Sequence, residues 1–274
     1  MTEGWGDGGA EAPEVSLVDG TDVDVSEAVA AAVEIVDEAE RITVLTGAGI
    51  STDSRIPDFR GPQGVWTKNP GAEKQATLQH YMANPEARQR SWRMRLDSPL
   101  WAAEPNRGHF ALTELERRHK LLLLITQNVD GLHVEAGSDA EKLVEIHGTA
   151  RMVGCMSCDY VAPMQEALDR VRGGEDDPPC PQCGGILKSR TISFGQSLVA
   201  EDLQRSQLAA ENCDLLLAVG TTLGVYPIAN VVPVAKSHGA RIVIVNGSPT
   251  EMDGLGDVVV RASISDVLPT ICRF

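Results

Sequence analysis

The stretch Val44-Leu45-Thr46-Gly47-Ala48-Gly49-Ile50-Ser51-Thr52-Asp53-Ser54-Arg55-Ile56-Pro57-Asp58-Phe59-Arg60 decides how the chain is read. An apolar run from Ile42 to Leu45 ends at Thr46 and turns at once into Gly47-Ala48-Gly49. The β-branched Ile42 and Val44 favour a buried strand. Two glycines at its end allow a tight turn and a close backbone approach to a phosphate, because no Cβ intervenes. A helix beginning at Ile50 or Ser51 would point its unpaired N–H groups at an anion there. The other reading is an ordinary glycine-rich strand-to-helix turn. The G-x-G-x-x-G fingerprint is not met, since Thr52 takes the place of the third glycine. No acidic residue follows about twenty positions later to hold a ribose. The loop is a nucleotide loop of another kind, or none.

A chain of 274 residues is long enough for a sizeable core and for one large or two smaller domains. No apolar run approaches the roughly 18 residues that would suggest a membrane span, and the first residues lack the basic and apolar regions of a secretory signal. The six cysteines are therefore expected in a reducing compartment, and the expected location is cytoplasmic. A net charge of −15 argues against non-specific binding to nucleic acid or anionic membranes. It keeps a protein soluble, and it is compatible with lysine-rich protein partners.

Residues 1–25, rich in Gly, Asp and Glu, read as a disordered acidic tail. Ser26 is positioned to cap a helix, and Val29, Val33 and Val36 give that helix one apolar face up to about Ala39. From Gly61 to about Asn106 the chain reads as irregular to helical. It contains Trp66, Tyr81, Trp92 and Trp101, and one helix carrying Arg88, Arg90, Arg93 and Arg95. A solvated basic face with core tryptophans accounts for most of these residues. A further helix is expected over 111–118, with Leu112 and Leu115 on one side.

Leu121 to Ile125 is an unbroken apolar run, as in a strand buried on both faces. It ends in Thr126-Gln127-Asn128-Val129-Asp130-Gly131-Leu132-His133, which places amides and an acid where open α/β sheets bind ligands. A short extended segment, Leu143 to Ile146, leads to His147-Gly148. Leu215 to Val219 runs into Gly220-Thr221-Thr222-Leu223-Gly224-Val225, and Arg241 to Val245 into Asn246-Gly247-Ser248. Val258 to Val260 reads as a last strand, and Ile264 to Ile271 as a closing helix. Strands alternating with helical stretches imply an α/β fold, a doubly wound, Rossmann-like parallel sheet with helices on both faces.

Between residues 151 and 189 the composition changes. Cys155-x-x-Cys158 and Cys180-x-x-Cys183 flank residues 159–179, which contain a helix expected from Met164 to Val171. Matched C-x-x-C knuckles suit a tetrahedral Cys₄ zinc site; a redox pair would need only one knuckle, and core thiols would not come as matched pairs. Four thiolates leave no open coordination position, so the expected metal is structural. The expected organisation is a tail over 1–25, a Rossmann-like domain from 26–150 and 190–274, and an inserted zinc module over 151–189.

These motifs together resemble the sirtuins, the NAD-dependent protein lysine deacylases. The family usually reads G-A-G-I-S-x-x-S-G-I-P-D-F-R where this chain departs only at Arg55. T-Q-N-V-D-G-L-H, H-G, the paired C-x-x-C, F-G and G-T-T-L-x-V follow in family order, with the late Asn at a strand end. Trp66 in G-V-W-T and the N-V-D-G-L-H wording resemble the class IV members, although the charge balance does not suggest chromatin. The resemblance implies NAD across the carboxyl edge of the sheet. Gly47, Ala48, Gly49 and Ser51 would form the first loop, with Gly220, Thr221 and Thr222 on the phosphates from the other side. Phe59, Arg60 and Gln127 would hold the phosphate and ribose region. Asn246 and Ser248 would hold the adenosine end, and Ile56, Asp58, Asn128 and Asp130 would line the nicotinamide pocket. An acyl-lysine protein would add as a strand between Phe194-Gly195-Gln196 and Gly224-Val225. The acyl oxygen would attack C1′ of the ribose, nicotinamide would leave, and His147 would act as general base with Asn128 beside it, giving O-acyl-ADP-ribose. Gln196 and Thr222 replace the family's usual Glu and Ser. An ADP-ribosyltransferase, or a weakly active NAD-binding regulator motivated by Arg55, are the alternatives.

Overall fold

A computed structural model describes residues 14–16, 22–58 and 77–274. Of the acidic stretch at the start, residues 1–13 and 17–21 lie outside the described residues. Strands β1 (Glu14–Ser16) and β2 (Asp22–Asp24) pair antiparallel. Phe59, Arg60 and Trp66 also lie outside the described residues.

Helix α1 (Val25–Glu38) is capped by Asp24, whose side chain accepts from the Ser26 N–H. Ser26 itself was the expected cap. It sits one residue inside the helix, where its own N–H needs a partner, and the aspartate supplies one. The buried face carries Ala28, Ala32, Val33, Ile35 and Val36.

The main sheet contains β3 (Ile42–Thr46), β4 (Leu121–Thr126), β5 (Leu143–Glu145), β9 (Leu215–Val219), β10 (Arg241–Val245) and β11 (Val258–Val260). Its order is β11-β10-β9-β3-β4-β5, and every pairing is parallel. Both faces are covered, so alternate residues of one strand enter different cores. Leu215, Leu217 and Val219 pack with α1, α4 (Arg107–Arg117) and α9 (Ile264–Cys272). Leu216 and Ala218 pack with α7 (Ala200–Asn212) and α8 (Val231–Ser237). Full burial of each such side chain stabilises by about 1.5–3 kcal/mol. The chain leaves β3 toward β4 on one side and returns to β9 on the other. The strand order reverses between β3 and β9, and open α/β sheets bind ligands at the carboxyl end of such a reversal.

A second, three-stranded antiparallel sheet has the order β7-β6-β8, from β6 (Gly148–Cys155), β7 (Val161–Pro163) and β8 (Leu187–Thr191). With helix α6 (Met164–Arg172) it encloses a separate core of Val153, Ala162, Met164, Leu168 and Leu187. Trp92, from helix α3 (Pro85–Leu96), is fully buried in that same core. Helix α2 (Leu78–Ala83) adds Tyr81, whose hydroxyl donates to the Leu187 carbonyl at 2.8 Å.

The arginine-rich helix clamps the small module. Arg88, buried, donates from Nε to Asp177 at 2.8 Å and from Nη1 to the carbonyls of Tyr81 and Met82. The Trp92 indole N–H donates to the other Asp177 oxygen at 3.3 Å, and Arg93 pairs with Asp176 at 2.8 Å. Removing the Asp177 carboxylate would leave a buried guanidinium and a buried indole N–H without their acceptor. Asp177→Ala is therefore expected to destabilise the protein by about 2 kcal/mol or more, while Asp176→Ala, an exposed pair, should cost at most about 1 kcal/mol. Denaturant unfolding of the two variants checks this. Equal small effects would show that Asp177 does not carry the contact.

Candidate functional site

The loops after β3 and β9 meet backbone to backbone. Gly47 donates to the Val219 carbonyl at 3.0 Å and Gly49 to the Gly220 carbonyl at 2.8 Å. A Cβ on Gly47 would lie 2.7 Å from Gly220 O, and one on Gly49 2.8 Å from Gly220 Cα. Gly220 has φ +63, and a Cβ there would strike Ile50 N at 2.4 Å. These glycines are thus required first by one loop lying on the other. After Gly47 the chain forms a 3₁₀ turn, Ala48–Ser54, so the expected helix start at Ile50 or Ser51 is replaced by a tighter turn beginning at Ala48. With Gly49 N–H committed to Gly220 O, the Ile50 N–H bonds the Gly47 carbonyl three residues back at 3.2 Å, the tighter pattern. Arg55 ends this turn at φ 65, ψ 20, in the left-handed region, with its side chain exposed.

Beneath the turn lies a buried polar network. Ser51 Oγ donates to Asp130 Oδ2 at 2.8 Å, and Asn128 Nδ2 donates both to Ser51 Oγ and to the Gly47 carbonyl at 3.1 Å. Asp130 Oδ1 accepts from the Leu132 N–H at 2.9 Å at the start of the short helix α5 (Leu132–Glu135), and its carbonyl accepts from Arg151 Nε at 2.7 Å. His147 is held by Nδ1 against the Gln127 carbonyl at 3.0 Å. Gln127 Nε2 in turn donates to Thr221 Oγ1 at 2.8 Å, joining the loops after β4 and β9. After His147 the backbone must pass under β8. A Cβ on Gly148, at φ +72, would lie 1.9 Å from the Arg190 carbonyl.

Of the expected site residues, Gly47, Gly49, Ser51, Gln127, Asn128, Asp130, Gly220 and Thr221 come together at this reversal, linked by the contacts above, and Ala48 begins the 3₁₀ turn between the two glycines. Ile56 and Asp58 follow the turn and are half-buried. Thr222 accepts on its carbonyl from Glu251 N. Asn246, at the end of β10, is buried and donates to the Ser248 carbonyl at 2.7 Å, while Ser248 is exposed. Phe194 and Gln196 belong to a turn: the Gln196 N–H bonds the Ser193 carbonyl at 2.9 Å, and Phe194 O accepts from Leu78 N at 3.0 Å. The Val225 carbonyl accepts from Ala229 N. Gly195 and Gly224 have no main-chain hydrogen-bond partner among the described residues.

Sequence reasoning missed Asn106 and His109. Helix α4 begins before the expected Ala111: Asn106 is its N-cap, and His109 closes a capping box. Asn106 Nδ2 donates to the Ile50 carbonyl at 2.7 Å and to Ser54 Oγ at 3.0 Å, and so grips the loop. The spacing Asn-x-x-His, with histidine in the place usually held by Glu or Gln, was the available signal.

The four cysteine sulfurs lie within 4.8 Å of one another, with Cys155–Cys183 at 3.5 Å and Cys158–Cys180 at 3.7 Å. Tetrahedral zinc with Zn–S bonds of about 2.3 Å requires S···S separations of about 3.8 Å. The residues fit such an ion, and the distances exclude disulfides.

His109 and His133 pack ring to ring at 4.9 Å. Burial pushes the His109 pKa down to about 4, against a smaller upward pull from Asp130. Burial, and then His109, hold His133 well below its ordinary value. Both are neutral in the fold, whereas unfolded histidine ionises at about pH 6.5. Their stabilising contribution is complete above about pH 6.5 and is lost as pH falls toward 4. Half-buried Glu145 opposes this: burial, then Asp130, raises it to about 7. The fold therefore holds one extra proton there between about pH 4.3 and 7, and its contribution grows on acidification. Two histidines outweigh one carboxyl, so the denaturation midpoint is expected to be lower at pH 5 than at pH 7. A midpoint that holds steady or rises at pH 5 would show that the two rings are charged in the fold.

A sequence model of the Sir2 family matches residues 47–227. The chain is similar to NAD-dependent protein deacetylase 2 of Streptomyces coelicolor, 49% identical over 85% of this chain and 96% of that protein. It is also similar to an NAD-dependent protein deacetylase of Thermodesulfovibrio yellowstonii, 35% identical over 91% and 96%. Among solved structures, a Sir2 enzyme described for its mechanism and regulation superposes with a TM-score of 0.81 at 36% identity, covering 90% of this chain and 97% of that one. A Sir2 variant with a deacetylated p53 peptide and 3′-O-acetyl-ADP-ribose gives 0.81 at 28% identity, covering 88% and 96%.

Proposed function

Because the chain belongs to the Sir2 family, we propose that the residues gathered where the strand order reverses carry out its reaction, each in a definable role. The protein is an NAD-dependent protein lysine deacetylase: the acyl group passes to ADP-ribose and nicotinamide is released. The observation that carries the residue assignments is the joining of three strand-end loops by Ser51, Asn128, Asp130, Gln127 and Thr221.

Bound NAD supplies an electrophilic ribose C1′ with nicotinamide as leaving group. The fold offers it a cradle in which Gly47, Ala48, Gly49 and Gly220 present main chain without bulk, with Thr221 and Thr222 as hydroxyl donors. Asn246 and Ser248 serve the adenosine end. Ile56, Asp58, Asn128 and Asp130 line the nicotinamide side, and Gln127, with Phe59 and Arg60 by the family pattern, serves the phosphate and ribose region. Both amide protons of Asn128 are used inward, on Gly47 and Ser51, so its Oδ1 is the acceptor turned to a ribose hydroxyl. His147 donates its Nδ1 proton to the Gln127 carbonyl, which makes Nε2 the basic nitrogen. A fixed neutral imidazole is suited to accept a ribose hydroxyl proton. The acyl-lysine segment adds as a strand, using the main chain of Gly195 and Gly224, with Phe194, Gln196 and Val225 shaping the groove. Main-chain pairing tolerates many sequences. Zinc on Cys155, Cys158, Cys180 and Cys183 holds the small module and takes no part in the chemistry. A reducing, cytoplasmic setting accords with four closely spaced thiols reserved for metal.

His147→Ala is expected to lower turnover by about a hundredfold or more, with the Kd for NAD changed by no more than about threefold. Following O-acetyl-ADP-ribose release and NAD binding together checks this. Turnover near the wild-type rate would remove His147 as the base.

The acyl group is acetyl or another uncharged acyl. Some family members that remove succinyl or malonyl groups carry a Tyr-x-x-Arg pair that grips the acyl carboxylate. The best match in this chain, Trp92-x-x-Arg95, lacks the tyrosine hydroxyl. Its arginine is committed elsewhere: Arg95 donates to Ser91 and, at 2.9 Å, to Ser189 Oγ, and its guanidinium lies 5.8 Å over the Trp92 ring. An acetylated peptide should therefore have the higher kcat/KM. A succinylated peptide preferred by about tenfold, or about 1.4 kcal/mol, would overturn this.

A further inference from the structure

A serine hydroxyl has one proton and two lone pairs, and all three are accounted for at Ser51. Its proton goes to Asp130 Oδ2 at 2.8 Å. Asn128 Nδ2 donates to one lone pair at 3.1 Å. The other faces His109 Nε2 at 3.4 Å. Which nitrogen of His109 carries the proton follows from its second partner. The main-chain N–H of Asn106 donates to Nδ1 at 3.2 Å, so Nδ1 is an acceptor and the proton of the neutral ring is on Nε2. The same Asn106 side chain holds Ile50 and Ser54, on either side of Ser51. The start of one helix thus sets the tautomer of His109 and the position of the hydroxyl it addresses. The whole path is shielded: Ser51 and His109 are 0% exposed, Asp130 4% and Asn128 7%.

We propose that His109 is a positioning residue for the nicotinamide side of the site, its Nε2–H filling the last lone pair of Ser51 and directing the serine proton onto Asp130. A hydroxyl rotor has three staggered choices. With only Asn128 donating, two directions stay open to the proton. With His109 donating as well, the direction of Asp130 is the one that remains. Asp130 Oδ1 is already fixed by the Leu132 N–H. Both carboxylate oxygens are then held, in surroundings where a misaligned buried charge is costly. His109 acts through Ser51 and touches no reacting atom. The inference rests on the reading of Asp130 as a nicotinamide-pocket residue.

Two substitutions separate positioning from mere packing. His109→Phe removes both ring nitrogens. His109→Gln keeps an N–H donor near the Nε2 position, and its Oε1 can accept from the Asn106 N–H as glutamine does in a capping box. The phenylalanine variant breaks the capping box and should lower Tm, whereas the glutamine variant can keep it. With the full chain, NAD and an acetylated peptide, His109→Phe should raise the KM for NAD by about fivefold or more, with the KM for peptide moving less than about twofold. His109→Gln should bring the KM for NAD back to near wild type. In the wild-type protein, ¹⁵N NMR should find His109 protonated at Nε2. Kinetics that are alike in the two variants, or an Nδ1–H tautomer, would overturn the proposal. If the phenylalanine variant does not fold, the glutamine variant and the tautomer decide it: a KM for NAD raised as far in His109→Gln as fivefold would count against it. Asp130→Asn with an unchanged KM for NAD would remove the reading of Asp130 itself while leaving the tautomer result standing.

Discussion

Everything at the carboxyl edge of the sheet depends on two loops touching without side chains between them. The loops after β3 and β9 come from neighbouring strands, yet they belong to halves of the fold far apart in sequence. Gly49 N–H reaches Gly220 O at 2.8 Å, and no Cβ fits on Gly47, Gly49 or Gly220. The contact narrows the crevice where the strand order reverses and sets the height of the 3₁₀ turn that carries Ser51. Ser51 then sits over the ends of β3 and β4, where Asn128 and Asp130 can reach it. A methyl group on any of these glycines would push the loops apart by the reach of one Cβ. It would disturb the hydrogen bonds beneath as well as the surface offered to a pyrophosphate.

The network under the turn is a buried polar one, and such networks rigidify only when every member is satisfied. Ser51, Asn128 Nδ2 and both oxygens of Asp130 meet that condition. His133 does not: Nε2 bonds Thr46 Oγ1 at 3.0 Å, but Nδ1 is buried without a partner among the described residues. The exception fits the electrostatics. A protonated His133 would face the His109 ring in a setting with little water, so the site keeps both rings neutral and tolerates one orphan nitrogen.

The sheet was legible because its strands are short, uninterrupted apolar runs. Leu215–Val219 and Val258–Val260 match their expected spans, since burial on both faces leaves no polar residue to blur the pattern. The metal site was legible from spacing alone. Other elements carried weaker signals. Helix α7 buries Ser206, Ala209 and Ala210, small residues that give little apolar periodicity. Strand β6, Gly-Thr-Ala-Arg-Met-Val-Gly-Cys, is half-buried along most of its length and has no clean alternation. The candidate site divides in the same way. Residues at strand ends announced themselves by composition at a predictable place. His109 did not, because its importance lies in a contact with Ser51 made across the fold, and a histidine in the first turn of a helix has an ordinary explanation. The basic helix shows the converse: its arginines read as a solvated face, whereas Arg88 is buried and grips the zinc module through Asp177.

Arg55 is the departure from the family pattern that bears most directly on whether the site can work. Its φ of 65 is in the region where glycine is at ease and a side chain costs about 1–2 kcal/mol. The conformation is that of a residue closing a helical turn, and the Arg55 N–H bonds the carbonyls of Ser51 and Thr52. The cost is thus borne by the end of the turn. It is small beside the contacts that fix the turn: Gly49 on Gly220, Asn106 on Ile50 and Ser54, and Asn128 on Gly47. None of these involves the Arg55 side chain, which is exposed. An arginine here lowers stability slightly and leaves the geometry of Ser51, Asn128 and Asp130 to be set from elsewhere. The substitution therefore gives no structural reason to regard the protein as a weakened, merely NAD-binding member of its family.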